Sequence, residues 1–322
     1  MKRLLFAACI IMACSTLLLA QDDKSKPKPK LPDRPTPTVE DYAYAKDHER
    51  QKFDFWQAKS DKPTPVVLLI HGGGWTGGDK RTYGANMIDP FLKEGISVAA
   101  INYRFIAQAM EQGVEPPVKA CLHDAARALQ TIRSKAKEWN VDPKRFGSTG
   151  GSAGACTSLW LALHNDIADP KSADPAARES SRLSCAAVTG AQTSLDPKEL
   201  REWIPNAEYG GHAFGFAGKG RRRPEEFDLL IANREKVLPW IKEYSPIELV
   251  SSDDPPIYME YPRQATPPAV GQKESDPTHS AVYGVKLAEK LQSAGVEVVL
   301  SYPDHQDQKY GSMANFLIAK LK

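Results

Sequence analysis

The chain has 322 residues, 41% of them hydrophobic and 25% charged, so it carries enough apolar side chains for a large core and none of the depletion that marks disorder. Forty-two basic residues against 40 acidic leave a net charge of +2. That balance argues against nucleic acid or an anionic membrane as the main partner.

Residues 1–20 read as a signal peptide. Lys2 and Arg3 form a basic n-region, residues 4–20 an apolar stretch, and polar Gln21-Asp22-Asp23 follows at once. Cleavage after Ala20 predicts an exported protein, periplasmic or extracellular, with no integral membrane span. The apolar run sits at the lower limit for crossing a bilayer, so an uncleaved anchor is the alternative. Lipid attachment at Cys14 is opposed by the apolar Leu17-Leu18-Leu19 that follow it. Removal of the signal leaves Cys121, Cys156 and Cys185, which make neither a disulfide framework nor a zinc cluster. Residues 21–41, with Lys26-Pro27-Lys28-Pro29-Lys30 at their centre, cannot bury a core and read as an extended linker before a domain at 42–322.

In that domain short apolar runs alternate with amphipathic ones, the pattern of a sheet flanked by helices. Residues 65–70 form a continuous apolar run, as expected for a strand buried on both faces, and lead into His71-Gly72-Gly73-Gly74. A second such strand is expected at 96–101, and a helix at 124–139. A short strand at 145–149 then enters Gly150-Gly151-Ser152-Ala153-Gly154, and an apolar helix resumes over 155–163. Further strands are predicted at 185–190, 257–261 and 296–302, with helices at 281–294 and 311–321. The segment between the first two of these strands exceeds ordinary loop lengths and predicts a cap over the site at 196–246. Its basic tract, 219–223, reads as a solvated turn.

Gly150-x-Ser152-x-Gly154 matches the nucleophile elbow, a strained strand-to-helix turn that exposes the serine oxygen at the carboxyl end of a strand. His71-Gly72-Gly73-Gly74 supplies the complementary part, because acyl transfer needs backbone N–H groups aimed at the developing oxyanion. The expected donors are Gly73, Gly74 and Ala153, with His71 structural. No Gly-Lys-Ser/Thr follows the glycines, and no His-Glu-x-x-His or paired-cysteine spacing occurs, so neither a phosphate loop, a metal nor a cofactor is expected.

Taken with Trp75, Gly77-Gly78-Asp79-Lys80, Asn102-Tyr103-Arg104, the Asp124 region and Asp254-Pro255-Pro256, these motifs resemble the hormone-sensitive-lipase-like and feruloyl-esterase-like (BD-FAE-like) branch of the α/β-hydrolases over residues 50–320. The resemblance implies a mainly parallel, doubly wound sheet with helices on both faces and a cap insertion. It also implies carboxylesterase chemistry on a small-molecule or glycan ester, with Ser152 as nucleophile. A serine peptidase of the same fold and a noncatalytic binding protein are the alternatives. The resemblance places the base after the last strand, at His305, with His279 as the rival. The acid is expected after the strand at 257–261, at Asp276, with Glu274 and Glu260 behind it. Asp124, near a helix start, is read as a cap or as a partner of Arg104.

Overall fold

The computed structural model describes residues 32–216 and 223–322; the signal segment, much of the predicted linker and nearly all of the basic tract lie outside the described residues. The strands are β1 (Val39–Ala43), β2 (Lys52–Trp56), β3 (Thr64–Ile70), β4 (Ser97–Ile101), β5 (Val141–Gly151), β6 (Cys185–Thr189), β7 (Ile257–Glu260) and β8 (Val298–Ser301). They lie in one sheet in the order 1-2-4-3-5-6-7-8. From β3 to β8 all neighbours run parallel, whereas β1 and β2 are antiparallel additions at one edge. The helices are α1 (Ala85–Lys93), α2 (Ile106–Glu111), α3 (Val118–Ser134), α4 (Ala153–Leu163), α5 (Pro197–Trp203), α6 (Arg223–Ala232), α7 (Arg234–Tyr244), α8 (Ala281–Ser293) and α9 (Met313–Leu321).

Both faces of the sheet are covered, which is why β3 is apolar throughout instead of alternating. Val66, Leu68 and Ile70 point into a core shared with α3, α4 and α8, where Leu122, Leu129, Leu159 and Leu287 are fully buried. Val67 and Leu69 point the other way, against Ile88 and Phe91 of α1 and Phe316 and Leu317 of α9. The parallel strands all deliver their carboxyl ends to one rim, so side chains placed just after β3, β5, β6 and β7 meet there.

Two expectations are corrected. The folded unit begins at Pro32, so residues 32–41 are not linker. The Trp56 indole donates to the Pro35 carbonyl at 2.8 Å, the Ala85 N–H to the Asp33 carbonyl at 2.8 Å, and β1 starts at Val39. Its prolines and charges hid this stretch, because its attachment is by hydrogen bonds and ion pairs more than by apolar burial. The helix expected at 124–139 is α3, which starts at Val118 behind Pro116-Pro117, a position where proline costs no helical hydrogen bond. Asp124 therefore sits inside the helix and caps nothing; its buried carboxylate takes Arg104 Nη2 at 2.7 Å and Nε at 2.9 Å.

The β1–β2 edge is fastened by a buried charge cluster. Asp54, with no exposed surface, accepts from Lys80 Nζ at 2.5 Å, from Arg34 Nη1 at 2.6 Å and from the Asp41 N–H at 2.8 Å. Lys80 is itself buried and sits 2.7 Å from Asp41. Asp54→Ala should therefore cost about 3 kcal/mol, the penalty of leaving a buried ammonium poorly compensated, read as a fall in the denaturant midpoint. An unchanged midpoint would show that Asp41 and solvent suffice for Lys80.

Candidate active site

β5 and α4 meet at Ser152, whose backbone lies at φ 55°, ψ −123°, a conformation that costs a non-glycine residue roughly 1–3 kcal/mol. The turn is held because the elbow has no room to relax. A Cβ on Gly150 would lie 2.5 Å from the Ile70 carbonyl oxygen, and one on Gly154 would run into the same atom. The Ser152 N–H donates to the Thr189 carbonyl at 3.0 Å, tying the turn to the end of β6. Ala153 opens α4, so its N–H has no intrahelical acceptor.

His279 reaches Ser152 from the long crossover between β7 and α8. Its Nε2 is 3.0 Å from Ser152 Oγ, and its Nδ1 is 2.9 and 3.1 Å from the two carboxylate oxygens of Asp276. With Nδ1–H donating to Asp276, Nε2 is left as the acceptor for the serine hydroxyl. Asp276 and His279 come from one turn, closed by the His279 N–H on the Asp276 carbonyl at 3.2 Å, with Pro277 at its second position. Ser280 then caps α8 by accepting from the Val282 N–H.

The crossover is braced along its length. Gln264 Nε2 donates to both oxygens of buried Glu274 at 3.1 and 3.0 Å, while its Oε1 accepts from the Ala281 N–H at 2.7 Å. Asn206 pairs with the backbone of Glu274 in both directions, and Gln192 Nε2 donates to the Thr278 carbonyl at 2.6 Å. Glu274 is thus occupied as a brace. Glu260, at the end of β7, lines a separate cavity of about 180 Å³ with Thr149, Met87 and Met313, and burial raises its pKa. Neither reaches His279.

His305, expected beside Ser152, is not brought there. It forms a two-way backbone bridge with Tyr302 just beyond β8 and stacks on the Tyr302 ring at 5.3 Å. Its loop borders a groove of about 460 Å³ against α8, with Val285 and Glu289 on the opposite wall. β8 lies at the edge of the sheet, one strand further from β5 than β7, and the loop after β7 supplies both polar partners of Ser152. The signal in the sequence was the tight Asp276-Pro277-Thr278-His279 turn directly before a serine cap; the spacing expected from the family concealed it.

Gly73 and Gly74 lie in the loop that leaves β3. At Gly73, φ is 98°, and a side chain would run into the Gly77 carbonyl, so the loop needs glycine there. The Cβ position of Gly72 is 2.6 Å from the Gly151 carbonyl oxygen and 3.4 Å from Ser152 Cβ, which sets the loop against the elbow. From above, His212 Nε2 donates to the Gly74 carbonyl at 3.0 Å, and Trp75 packs against Tyr209 and His212 with ring centroids 6.1 Å away. The expected cap region, 196–246, is therefore the insertion carrying α5 to α7, and its Gly211–Phe214 turn rests on the glycine loop.

His71 sits beneath this loop as a buried, neutral imidazole. It stacks on Tyr103 at 4.3 Å, its Nδ1–H donates to the Gly72 carbonyl at 2.9 Å, and Arg50 Nη2 is 3.4 Å from its Nε2. Burial lowers its pKa to about 4. Cys121, Cys156 and Cys185 are buried free thiols, and burial pushes each pKa up, Cys185 to about 12. A cavity of about 260 Å³ opens beside Ser152, walled by Gly151, Thr189, Gly190, Tyr261, Arg263 and His279.

Residues 54–267 match the BD-FAE family model, more than half of the chain and including both glycine motifs. The chain belongs to the BD-FAE family. Among curated proteins it is 30% identical over 194 residues to Esterase B1 of Culex pipiens, covering 55% of this chain and 32% of that protein. It is also 30% identical over 126 residues to the probable carboxylic ester hydrolase LipM of Mycobacterium tuberculosis, covering 38% and 28%. These matches span about a third of the relatives' own length. Among solved structures, a truncated carbohydrate esterase from gut microbiota superposes with a TM-score of 0.65 at 19% identity, covering 90% of this chain and 99% of that one. The acetyl ester-xyloside bifunctional hydrolase of Caldicellulosiruptor lactoaceticus gives 0.56 at 24%, covering 78% and 76%. The BD-FAE chain thus has the α/β-hydrolase fold implied by its motifs. The matched stretch ends before Asp276 and His279.

One pH effect follows from His71. Its folded pKa lies below the ordinary value, so the unfolded chain takes up the proton first as pH falls. The stability it contributes is complete above pH 6.5 and is lost as pH drops towards 4, by about 2 kcal/mol at pH 5. His71→Gln should flatten the stability profile between pH 6.5 and 4 in denaturant titrations; an unaltered slope would show that other groups set it.

Proposed function

We propose that this protein hydrolyses carboxylic esters through an acyl-enzyme formed on Ser152, with His279 as base and Asp276 as its orienting carboxylate. The observation that carries this reading is the continuous Ser152–His279–Asp276 contact at the carboxyl rim of the sheet. Ser152 Oγ attacks the ester carbonyl while its proton passes to His279 Nε2, and Asp276 stabilises the imidazolium through Nδ1–H. The N–H groups of Gly73, Gly74 and Ala153 receive the oxyanion. His279 then returns the proton to the departing alcohol, and water, activated by the same imidazole, releases the acid. The scheme needs no metal or cofactor. A noncatalytic role is disfavoured by the same contact, since a decayed site has no reason to keep a hydrogen-bonded serine, histidine and carboxylate.

The test is turnover of p-nitrophenyl acetate. Ser152→Ala and His279→Ala should each lower kcat/KM by at least about a thousandfold, and His305→Ala should leave it unchanged. A loss with His305→Ala and none with His279→Ala would reverse the assignment of the base. Ser152 should also be labelled by a fluorophosphonate, and the label should vanish in Ser152→Ala.

His212 donates to the glycine loop without lying between Ser152 and His279. Its replacement by Phe should lower kcat about tenfold with little change in KM, because a loosened loop aims its N–H groups less well at a charge that exists only in the transition state. Equal losses in binding and turnover would instead make His212 part of the substrate pocket.

We further propose that the substrates are acylated glycans or similar small esters met outside the cytoplasm. The solved neighbours named for carbohydrate esters and the basic, apolar and polar order of residues 1–23 support this reading. A mature protein whose first residue is Gln21, recovered outside the cytoplasmic fraction, would bear it out; an intact Met1 in the membrane pellet would overturn it.

A further inference from the structure

The cavity beside Ser152 has one charged wall. Arg263 is exposed, it follows Tyr261-Pro262 at the end of β7, and it has no hydrogen bond or ion pair among the described residues. Its neighbours contrast with it. Tyr261 is buried, with its hydroxyl donating to the Ala191 carbonyl at 3.0 Å, and Gln264 is buried and bonded to Glu274, Thr266 and Ala281. The backbone carrying Arg263 is therefore anchored on both sides, while the guanidinium is left with its donors unused. Asp276, the nearby carboxylate of the site, is engaged by His279 and is not part of the cavity wall. An arginine on the wall of a small cavity, with no anion on that wall, is suited to take a carboxylate, which guanidinium binds through two parallel hydrogen bonds.

The cavity also has a side. Its wall includes His279, Thr189 and Gly190 but neither Gly73 nor Gly74, so it opens on the face of Ser152 turned towards the imidazole and away from the glycine loop. The group that leaves must take its proton from His279 Nε2, so the alcohol portion of an ester lies on this face. At about 260 Å³ the space falls just below the roughly 300–1,000 Å³ of drug-sized pockets, which suits one ring better than a long chain.

We propose that this site selects esters whose alcohol portion is a ring-sized group bearing a carboxylate, of the kind an O-acylated uronic acid or hydroxy acid presents, and that Arg263 pairs with that carboxylate. This rests on the ester-hydrolase reading of Ser152 and names the substrate class for it. The carboxylate binds before and after bond cleavage alike, so the pairing lowers KM more than it raises kcat. It also predicts that the released hydroxy acid inhibits competitively.

The experiment compares 4-acetoxybenzoate with its neutral methyl ester, methyl 4-acetoxybenzoate, on the full chain, with Arg263→Gln and Arg263→Glu beside the wild type. The two phenols differ in leaving ability, so the quantity read is the change in the anionic-to-neutral ratio of kcat/KM on mutation, where that difference cancels. Exposed ion pairs are worth up to about fivefold, and partial desolvation beneath a bound ring adds to this, so Arg263→Gln should lower the ratio roughly five- to tenfold, mainly through KM. Arg263→Glu should lower it further, and added KCl should weaken the wild-type preference while leaving the neutral ester unaffected. Because Arg263 makes no hydrogen bond or ion pair among the described residues, both variants should fold and still turn over the neutral ester. A ratio that does not move on mutation overturns the Arg263 proposal and leaves the hydrolase reading standing. If neither ester is turned over and a fluorophosphonate leaves Ser152 unlabelled, both readings fall together.

Discussion

The contact between the carboxyl end of β3 and the turn that follows β5 is the constraint on which the site depends. The carbonyl of Ile70 sits where any side chain at Gly150 or Gly154 would stand, so the chain can pass only as bare backbone. That close approach brings the glycine loop after β3 within van der Waals reach of Ser152, and it holds the serine in a backbone conformation it would not otherwise adopt. Ser152 and the glycine loop are thus set by one piece of steric exclusion in the middle of the sheet, where β3 and β5 are neighbours and both are buried.

The rest of the site is assembled by polar bracing, which is more local. The β7–α8 crossover carries Asp276 and His279 on a single turn and is held in place by Gln264, Glu274, Asn206 and Gln192, each bonded to backbone or to another brace. The insertion between β6 and β7 contributes the hydrogen bond of His212 to the glycine loop. The two halves therefore answer to different physics. The elbow is fixed by close packing, which admits almost no alternatives, and His279 by hydrogen bonds whose geometry a single substitution can relax.

That difference explains what could be read from the sequence. The buried parallel strands announced themselves as unbroken apolar runs, and the elbow and glycine loop as short motifs, because steric requirements leave few permitted residues. The order of the strands from residue 65 onward was legible for the same reason, whereas α1 and α2, short helices in the first two crossovers, were not. The sequence points to Asp276, which the fold places on His279, but it points to His305 for the histidine, since a residue's place in the order of elements says nothing of which loop bends back to the serine. β1 and the docked segment from Pro32 escaped notice because their attachment is ionic: Arg34, Asp54 and Lys80 belong to separate stretches of chain, and only folding brings them together. Arg263 gave no sign at all, as a lone exposed arginine in a proline-rich loop carries no pattern.

The bridge between Tyr302 and His305 has a consequence for association. β8 is the last strand of the sheet and only four residues long, so its outer edge is a ladder of backbone groups that another chain could extend. The turn from Tyr302 to His305 spends those groups on each other at the strand's end, and Glu297 just before β8 is ringed by Lys309 and Lys320. The histidine that stands where a base was expected instead ties off the backbone just past the outer edge of the sheet, where an added strand would otherwise continue the ladder.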